Sequence, residues 1–353
     1  MMKILVKVSA KMFAFLFFAT MVFSQQHSKK IDSLMSQYAK FEQFNGTILV
    51  AEKNRIIYQK AFGTAKFEDK LPNKLETKFR VGSMSKPFTA TLIFQLIAEK
   101  KLSLDDSIGK HISGFSPEIS EKVKIRHLLN HTSGIPDFYR LPDWQRAMFN
   151  PETSLSDFVK LAYSMPLDFS PGEKFSYCNV NYLILGVILE KVLNLPYEKI
   201  LENNLLKPNN LLNTGISFDT SKIPNHAFGY QRNRFFEFEP EAMVNITVSQ
   251  PAGGIYSTVE DLFKFAQSFF NGKMLPPEVV KQMTTPQMNE GDKTYPDRQY
   301  AFGWHVDSVK IGKSQKFKII EHGGSINGFQ SLLTYLHEKQ ITVIFLVNTD
   351  YIF

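Results

Sequence analysis

The chain has 353 residues, 43% of them hydrophobic and 13% aromatic, which is enough to bury a large core. Its formal net charge is +7, but the basic residues are scattered among acidic ones with no long Lys/Arg run, which argues against a nucleic-acid partner. A single cysteine, Cys178, excludes an intrachain disulfide. No His/Cys/Asp cluster has metal-site spacing, so we expect neither a metal nor a cofactor.

The first 24 residues have the pattern of a secretory signal peptide. Lys3, Lys7 and Lys11 form a positive segment, and an apolar run from Met12 to Phe23 follows. The run is too short to span a bilayer comfortably. We therefore expect an exported chain, periplasmic or secreted, of net charge +4 and without stable membrane insertion after cleavage.

Helix and strand patterns then alternate in a definite order. A helical pattern covers residues 29–44, and the segments GTILVA and IIYQKAF are predicted to form a β-hairpin. A long helical region extends from about residue 83 to about residue 220. After Gly253 come the helix DLFKFAQSFF and three strands, FKIIEH, FQSLLTYL and ITVIFLVN.

This order predicts one sheet built from both ends of the chain, with a helical insertion between them. We place the sheet part at about residues 25–80 and 250–353 and the helical part at about 81–249. A substrate cleft is expected between the two parts, and the substrate is a small molecule or a peptide.

The first chemical motif is Ser83-Met-Ser-Lys86, at the start of an amphipathic helix. From Phe88 onward apolar residues recur at helical spacing, so one face of this helix is predicted to be buried. Residues three apart share a helix face, which puts the Ser83 hydroxyl beside the Lys86 amine. If burial lowers the lysine pKa, the amine can take the serine proton. The same pattern recurs at Ser107 to Lys110, where nothing else suggests chemistry.

The second motif is FSYCN, residues 175–179, before another predicted helix. A phenol near Lys86 would have a lowered pKa, so Tyr177 could shuttle a proton. Asn179 could hydrogen-bond a substrate amide or carbonyl, or the lysine. A core tyrosine followed by a capping asparagine is the structural alternative.

The third motif is EHGGSINGFQS, residues 321–331, where one predicted strand leads into the next. Gly323 and Gly324 let a substrate lie against the strand edge, beside His322. The backbone N–H of Ser325 could join that of Ser83 in an oxyanion hole. A glycine-rich hairpin with an incidental histidine is the alternative.

In this order the three motifs resemble the serine β-lactamase and penicillin-binding-protein superfamily, and more closely its β-lactamase-related serine hydrolases. These include class C enzymes, D-alanyl-D-alanine carboxypeptidases, D-aminopeptidases and esterases. The stretches IRHLLNHTSGIPD, PGEKFSYCNVNY and PAGGIYSTVEDLFKFA also look like the family's. The resemblance covers nearly all of the mature chain.

The resemblance implies an α/β fold: a three-layer α-β-α sandwich with a mainly antiparallel sheet plus an all-helical subdomain. It implies that Ser83 is acylated, that Lys86 is the base or electrostatic activator, and that Tyr177 is the proton shuttle. Which of Lys86 and Tyr177 takes the first proton stays open. Asn179 and the segment His322 to Ser325 are implied to bind substrate.

Two features depart from the family pattern. Class C β-lactamases have lysine where this chain has His322, and a neutral histidine binds a substrate carboxylate less well. Relatives also follow the strand ITVIFLVN with a C-terminal helix, whereas this sequence stops at Phe353, so we expect either a truncated chain or a less covered sheet face.

The sequence therefore predicts an exported serine hydrolase of the carboxypeptidase or esterase type. Its acyl-enzyme would form on a D-amino-acid peptide or a small ester. A β-lactamase is the alternative enzyme. A non-catalytic protein that binds or senses cell-wall peptides is the alternative of another class.

Overall fold

The computed structural model of the chain describes residues 26–217, 219–235, 237–241, 248–311 and 315–349. The predicted signal peptide lies outside the described residues, and so do the last four residues of the sequence.

The strands of the described residues are β1 (Gly46–Glu52), β2 (Arg55–Phe62), β3 (Thr64–Lys66), β4 (Leu71–Pro72), β5 (Phe79–Arg80), β6 (Tyr230–Arg232), β7 (Phe238–Pro240), β8 (Tyr256–Ser257), β9 (Met288–Asn289), β10 (Gln299–Tyr300), β11 (His305–Ile311), β12 (Gln315–Ile326), β13 (Phe329–Leu336) and β14 (Ile341–Val347).

The helices of the same residues are α1 over residues 26–40, α2 (Ser85–Ala98), α3 (Pro117–Lys122), α4 (Ile125–Leu129), α5 (Trp144–Phe149), α6 (Leu155–Lys160), α7 (Asn179–Leu193), α8 (Tyr197–Leu201), α9 (Gln250–Gly253), α10 (Val259–Phe270) and α11 (Pro277–Met283). No single helix among them is long and apolar enough to cross a membrane, and α7 meets these criteria only when joined to Tyr197–Asn209, from which it bends by 77°.

Both ends of the chain contribute to the main sheet, as the order of patterns in the sequence predicts. Within the described residues it has eight antiparallel strands in the order β2-β1-β14-β13-β12-β11-β10-β9. Strand β1 pairs with β14 from Gly46 opposite Val347 to Glu52 opposite Ile341. Because β1 sits inside the sheet and is rich in β-branched residues, almost all of its side chains are buried.

Helices lie on both faces of this sheet, which makes three layers. On one face α10 packs against β1 and β14. On the other face α1 packs over Ile48, Val50 and Tyr58. On this side Val347 of β14 is buried, but Ile341, Val343 and Phe345 of the same strand are only half-buried, so this is the less covered face.

Helix α2 is more deeply buried than its sequence predicts. We expected one buried face, but every residue from Ser85 to Phe94 is buried. The reason is that α2 contacts α7, α8 and α9, while Phe88 stacks on Phe265 of α10 with ring centroids 3.9 Å apart. The helix that follows the candidate nucleophile is therefore a central core element.

Asn348, directly after β14, ties distant parts of the chain together. Its side-chain oxygen accepts hydrogen bonds from the Nδ2 atoms of Asn45 (2.7 Å) and Asn73 (3.3 Å). Its Nδ2 donates to the carbonyl oxygens of Phe228 (2.9 Å) and Thr64 (3.1 Å). Because Asn348 is fully buried, these four hydrogen bonds form inside the protein rather than at its surface.

We expect Asn348→Ala to lower the free energy of unfolding by about 3 kcal/mol or more, because it removes four hydrogen bonds, each worth about 0.5 to 1.5 kcal/mol, from a buried position. Urea unfolding followed by circular dichroism measures this. The matched control is Asn203→Ala at an exposed position, which should stay within about 0.5 kcal/mol of the parent. Equal losses in the two variants would contradict the prediction.

Candidate active site

The candidate nucleophile lies on a tight turn between β5 and α2. Residues Gly82–Met84 form a single 3₁₀ turn before α2 begins at Ser85. Gly82 has a φ of +51°, and a Cβ there would lie 2.8 Å from the backbone nitrogen of Ser325, so the turn requires glycine. The Ser83 side chain faces a pocket and is partly exposed, whereas Ser85 and Lys86 are buried.

The Lys86 amine is enclosed by oxygen atoms. Its Nζ lies 2.9 Å from Ser83 Oγ, 2.9 Å from Asn179 Oδ1 and 3.0 Å from the carbonyl oxygen of Ala252. Because the side chain has no solvent exposure, burial lowers its pKa from 10.5 to about 7, although the negative charge of Asp137 favours the protonated form. Near neutral pH the neutral amine is therefore well populated.

The surrounding groups fix the orientation of the lone pair on the neutral amine. A neutral lysine keeps two N–H bonds and gains one lone pair. Asn179 Oδ1 and the Ala252 carbonyl are pure acceptors, so they take the two N–H bonds, and the lone pair is left to face Ser83 Oγ. The arrangement can accept the serine proton.

Asp137 fixes the orientation of the Asn179 amide. Its carboxylate accepts hydrogen bonds from Asn179 Nδ2 (3.0 Å) and from the backbone N–H groups of Asn179 (2.8 Å) and Val180 (3.3 Å). These N–H groups lie in the first turn of α7, where a negative charge is favourable. Because Nδ2 is bonded to Asp137, Oδ1 points to Lys86. Of the partners expected for Asn179, the structure therefore shows the lysine. The sequence assigned no role to Asp137; the signal is that it ends the family-like stretch IRHLLNHTSGIPD.

Tyr177 lies beside Lys86, with its ring centroid 4.7 Å from Nζ. The prediction that the pKa of this phenol is lowered is wrong. Burial raises its pKa above the ordinary value of 10, the negative charges of Asp137 and Glu290 raise it further, and a hydrogen bond with Ser83 offsets only part of the rise. Tyr177 is therefore a neutral phenol that can donate a hydrogen bond.

His131 holds the segment that carries Tyr177. Its carbonyl oxygen accepts from the backbone N–H of Ser176 (2.9 Å), and its Nδ1 accepts from that of Cys178 (3.1 Å). The imidazole packs against the Tyr177 ring at 4.3 Å. The histidine is structural, as its sequence context indicates, and Cys178 is a small buried side chain.

Strand β12 closes the other side of the site. A Cβ on Gly324 would lie 1.9 Å from the Val81 carbonyl oxygen and 2.8 Å from the Ser83 nitrogen, and Ser331 Oγ donates to the same carbonyl at 2.7 Å. This close approach brings the backbones of Ser83 and Ser325 together, as an oxyanion hole formed by their N–H groups requires.

The His322 side chain points away from the pocket. It is buried, its Nδ1 donates to the carbonyl oxygen of Gly323 (2.6 Å), and its Nε2 then accepts from the Tyr300 hydroxyl (3.0 Å). Burial holds its pKa well below the ordinary value, so the ring is neutral. The predicted contact of this segment with substrate is found only in part: His322, Gly323 and Gly324 are absent from the described residues that line the pocket, whereas Ser325 is among them.

The pocket in front of Ser83 has a volume of about 310 Å³. Asn179 and Ser325 contribute polar groups to its wall, and Phe138, Met148 and Ile326 contribute apolar ones. Within the described part of the chain, no group of three or more His, Cys, Asp or Glu side chains could hold a metal ion. The reactive groups at this pocket are the Ser83 hydroxyl and, behind it, the buried Lys86 amine.

Comparisons with known proteins give the family and the relatives of this chain. A family model described as Beta-lactamase matches residues 31–352. Penicillin-binding protein 4* of Bacillus subtilis (strain 168) is 28% identical over 340 residues, which are 92% of this chain and 73% of that protein.

Solved structures show the same fold. The octameric penicillin-binding protein homologue from Pyrococcus abyssi superposes with a TM-score of 0.80 at 26% identity, covering 91% of this chain and 73% of that one. A D-stereospecific amidohydrolase from Streptomyces sp. superposes with a TM-score of 0.72 at 27% identity, covering 87% and 90%. The chain thus has the architecture of these hydrolases.

The two glycines of β12 provide a stability test. Gly324→Ala should lower the free energy of unfolding by about 1 to 3 kcal/mol, because the new Cβ collides with the backbone that carries Ser83. Gly323→Ala is the matched control, since a Cβ there meets nothing closer than 3.4 Å. Urea unfolding of both variants measures the difference, and equal stability would show that β12 does not press on the turn.

Proposed function

Since the chain belongs to the Beta-lactamase family, whose members are generally serine hydrolases, we propose that it hydrolyses an amide or ester through an acyl-enzyme on Ser83. The observation that carries the proposal is the Lys86 amine, 2.9 Å from Ser83 Oγ, with a pKa of about 7. A free lysine, with a pKa near 10.4, is almost entirely protonated at pH 7 and cannot serve as a base.

In the proposed acylation, neutral Lys86 takes the proton of the Ser83 hydroxyl while Oγ forms a bond to the substrate carbonyl carbon. The carbonyl oxygen becomes negative and is held by the N–H groups of Ser83 and Ser325. When the bond to the leaving amine or alcohol breaks, the Tyr177 phenol donates a proton to it and is reprotonated from Lys86. The acyl-enzyme forms with the amine neutral again.

Deacylation uses the same groups. Lys86 takes a proton from a water molecule whose oxygen attacks the acyl carbon, and the bond to Ser83 Oγ breaks. Lys86 then passes that proton to the serine oxygen, 2.9 Å away, so the amine is neutral again when the acid product leaves. The high pKa of Tyr177 suits a group that donates a proton rather than one that starts as a phenolate.

A D-amino-acid peptide or a small ester is the proposed substrate, acted on outside the cytoplasm. The fold shared with a D-stereospecific amidohydrolase supports an amide, and the N-terminal pattern of basic and apolar residues supports export. A protein that only binds peptides would not need a buried amine with a lowered pKa beside a serine, which disfavours the non-catalytic alternative.

The nucleophile is tested by intact-mass spectrometry after exposure to a fluorophosphonate and, separately, to a penicillin. We expect one covalent adduct in the parent and none in Ser83→Ala. The second Ser-x-x-Lys pattern supplies the control, because Ser107→Ala should be labelled like the parent. An adduct that persists in Ser83→Ala would refute the assignment.

The lysine pKa predicts how labelling depends on pH. Below about pH 7 Lys86 is protonated and cannot accept the serine proton, so the rate constant for fluorophosphonate labelling should rise about tenfold per pH unit and level off above pH 7. The rate constant is measured at pH values from 5 to 9 by quenching the labelling reaction at successive times and recording the intact mass.

Lys86→Arg should abolish labelling at every pH, because a guanidinium keeps its proton. Lys110→Arg, in the second pattern, should leave the profile unchanged. A flat profile in the parent would remove Lys86 from the role of base.

A further inference from the structure

The pocket in front of Ser83 has an uncharged wall. Its apolar side chains include Phe138, Met148, Leu183 and Ile326, and its polar ones are serine and asparagine. Among the described residues that line it, none has an ionisable side chain.

The groups that could hold a substrate carboxylate are already engaged. His322 is neutral and turned to Tyr300, and the Lys86 N–H bonds are directed to Asn179 and Ala252. Within the described pocket, therefore, neither Lys86 nor His322 provides a positive charge that is available to a substrate anion.

Two of the charged groups that lie close to the pocket are carboxylates. Asp137 lies directly behind Asn179, and Glu241 Oε1 is 3.5 Å from the Asn327 amide in the pocket wall. The carboxylate of Asp137 would repel a second negative charge in the pocket. Local charge and apolar lining therefore select against an anionic substrate group.

We infer that this pocket binds an uncharged, apolar acyl group and excludes acyl groups that end in a carboxylate. The inference rests on the proposed acyl-enzyme and specifies its substrate. The cavity of about 310 Å³ falls in the size range of small-molecule sites and is large enough for a short acyl chain.

The first test compares p-nitrophenyl esters of acetate, butyrate, hexanoate and octanoate with the full-length protein. Each methylene that the pocket buries is worth about fourfold in kcat/KM. We expect kcat/KM to rise at least about tenfold from acetate to hexanoate. The matched anionic substrate is mono-p-nitrophenyl adipate, in which a carboxylate replaces the terminal methyl of hexanoate, and we expect it to react at least about 100-fold more slowly than hexanoate.

A substitution in the wall should weaken this preference for hexanoate over adipate. Met148→Lys places a cation in the pocket on a side chain of similar length, so the ratio of adipate to hexanoate kcat/KM should rise at least about tenfold. Phe149→Lys is the matched control, because Phe149 is the next residue of α5 but is exposed to solvent. The ratio in this control should stay at the parent value.

The outcomes separate the two proposals. If the folded parent protein shows no covalent labelling of Ser83, the proposed function and this inference are both wrong. Normal labelling with a flat chain-length profile, or with adipate preferred over hexanoate, would overturn the inference alone. An equal change of the ratio in Met148→Lys and Phe149→Lys would show that the pocket wall does not set the preference.

Discussion

The site depends on the burial of one amine. Bringing the Lys86 side chain out of water shifts its pKa from 10.5 to about 7, which corresponds to a cost of roughly 5 kcal/mol for its charged form. The nearby negative charge of Asp137 works in the opposite direction, but desolvation is the larger effect. An exposed lysine at the same position would stay protonated and leave Ser83 an ordinary alcohol.

Three parts of the fold hold that amine. Helix α2 carries it in a fully buried position, α7 supplies the Asn179 amide, and α9 supplies the Ala252 carbonyl. Asp137 sets the orientation of the amide by capping the first turn of α7. The direction of the lysine lone pair is therefore decided by helices that are far apart in the sequence.

Strand β12 completes the site from the side of the sheet. Its glycine at position 324 allows the strand to lie against the turn of Ser83, while the histidine two positions earlier turns to Tyr300. The strand thus brings the backbone of Ser325, rather than a charged side chain, to the pocket. Together with the apolar side chains opposite, it gives the site a wall suited to uncharged groups.

The sequence by itself determined what local spacing can determine. Ser83 and Lys86 are three residues apart in a helix and must share a face, and the order of strand and helix patterns required a sheet from both ends of the chain. The tertiary structure decided the rest: the partnership of Asp137 with Asn179, the raised pKa of Tyr177, the direction of His322 and the burial of α2 on all sides from Ser85 to Phe94. Desolvation and hydrogen-bond partners depend on which distant segments pack around a side chain, and periodicity along the chain carries no information about that packing.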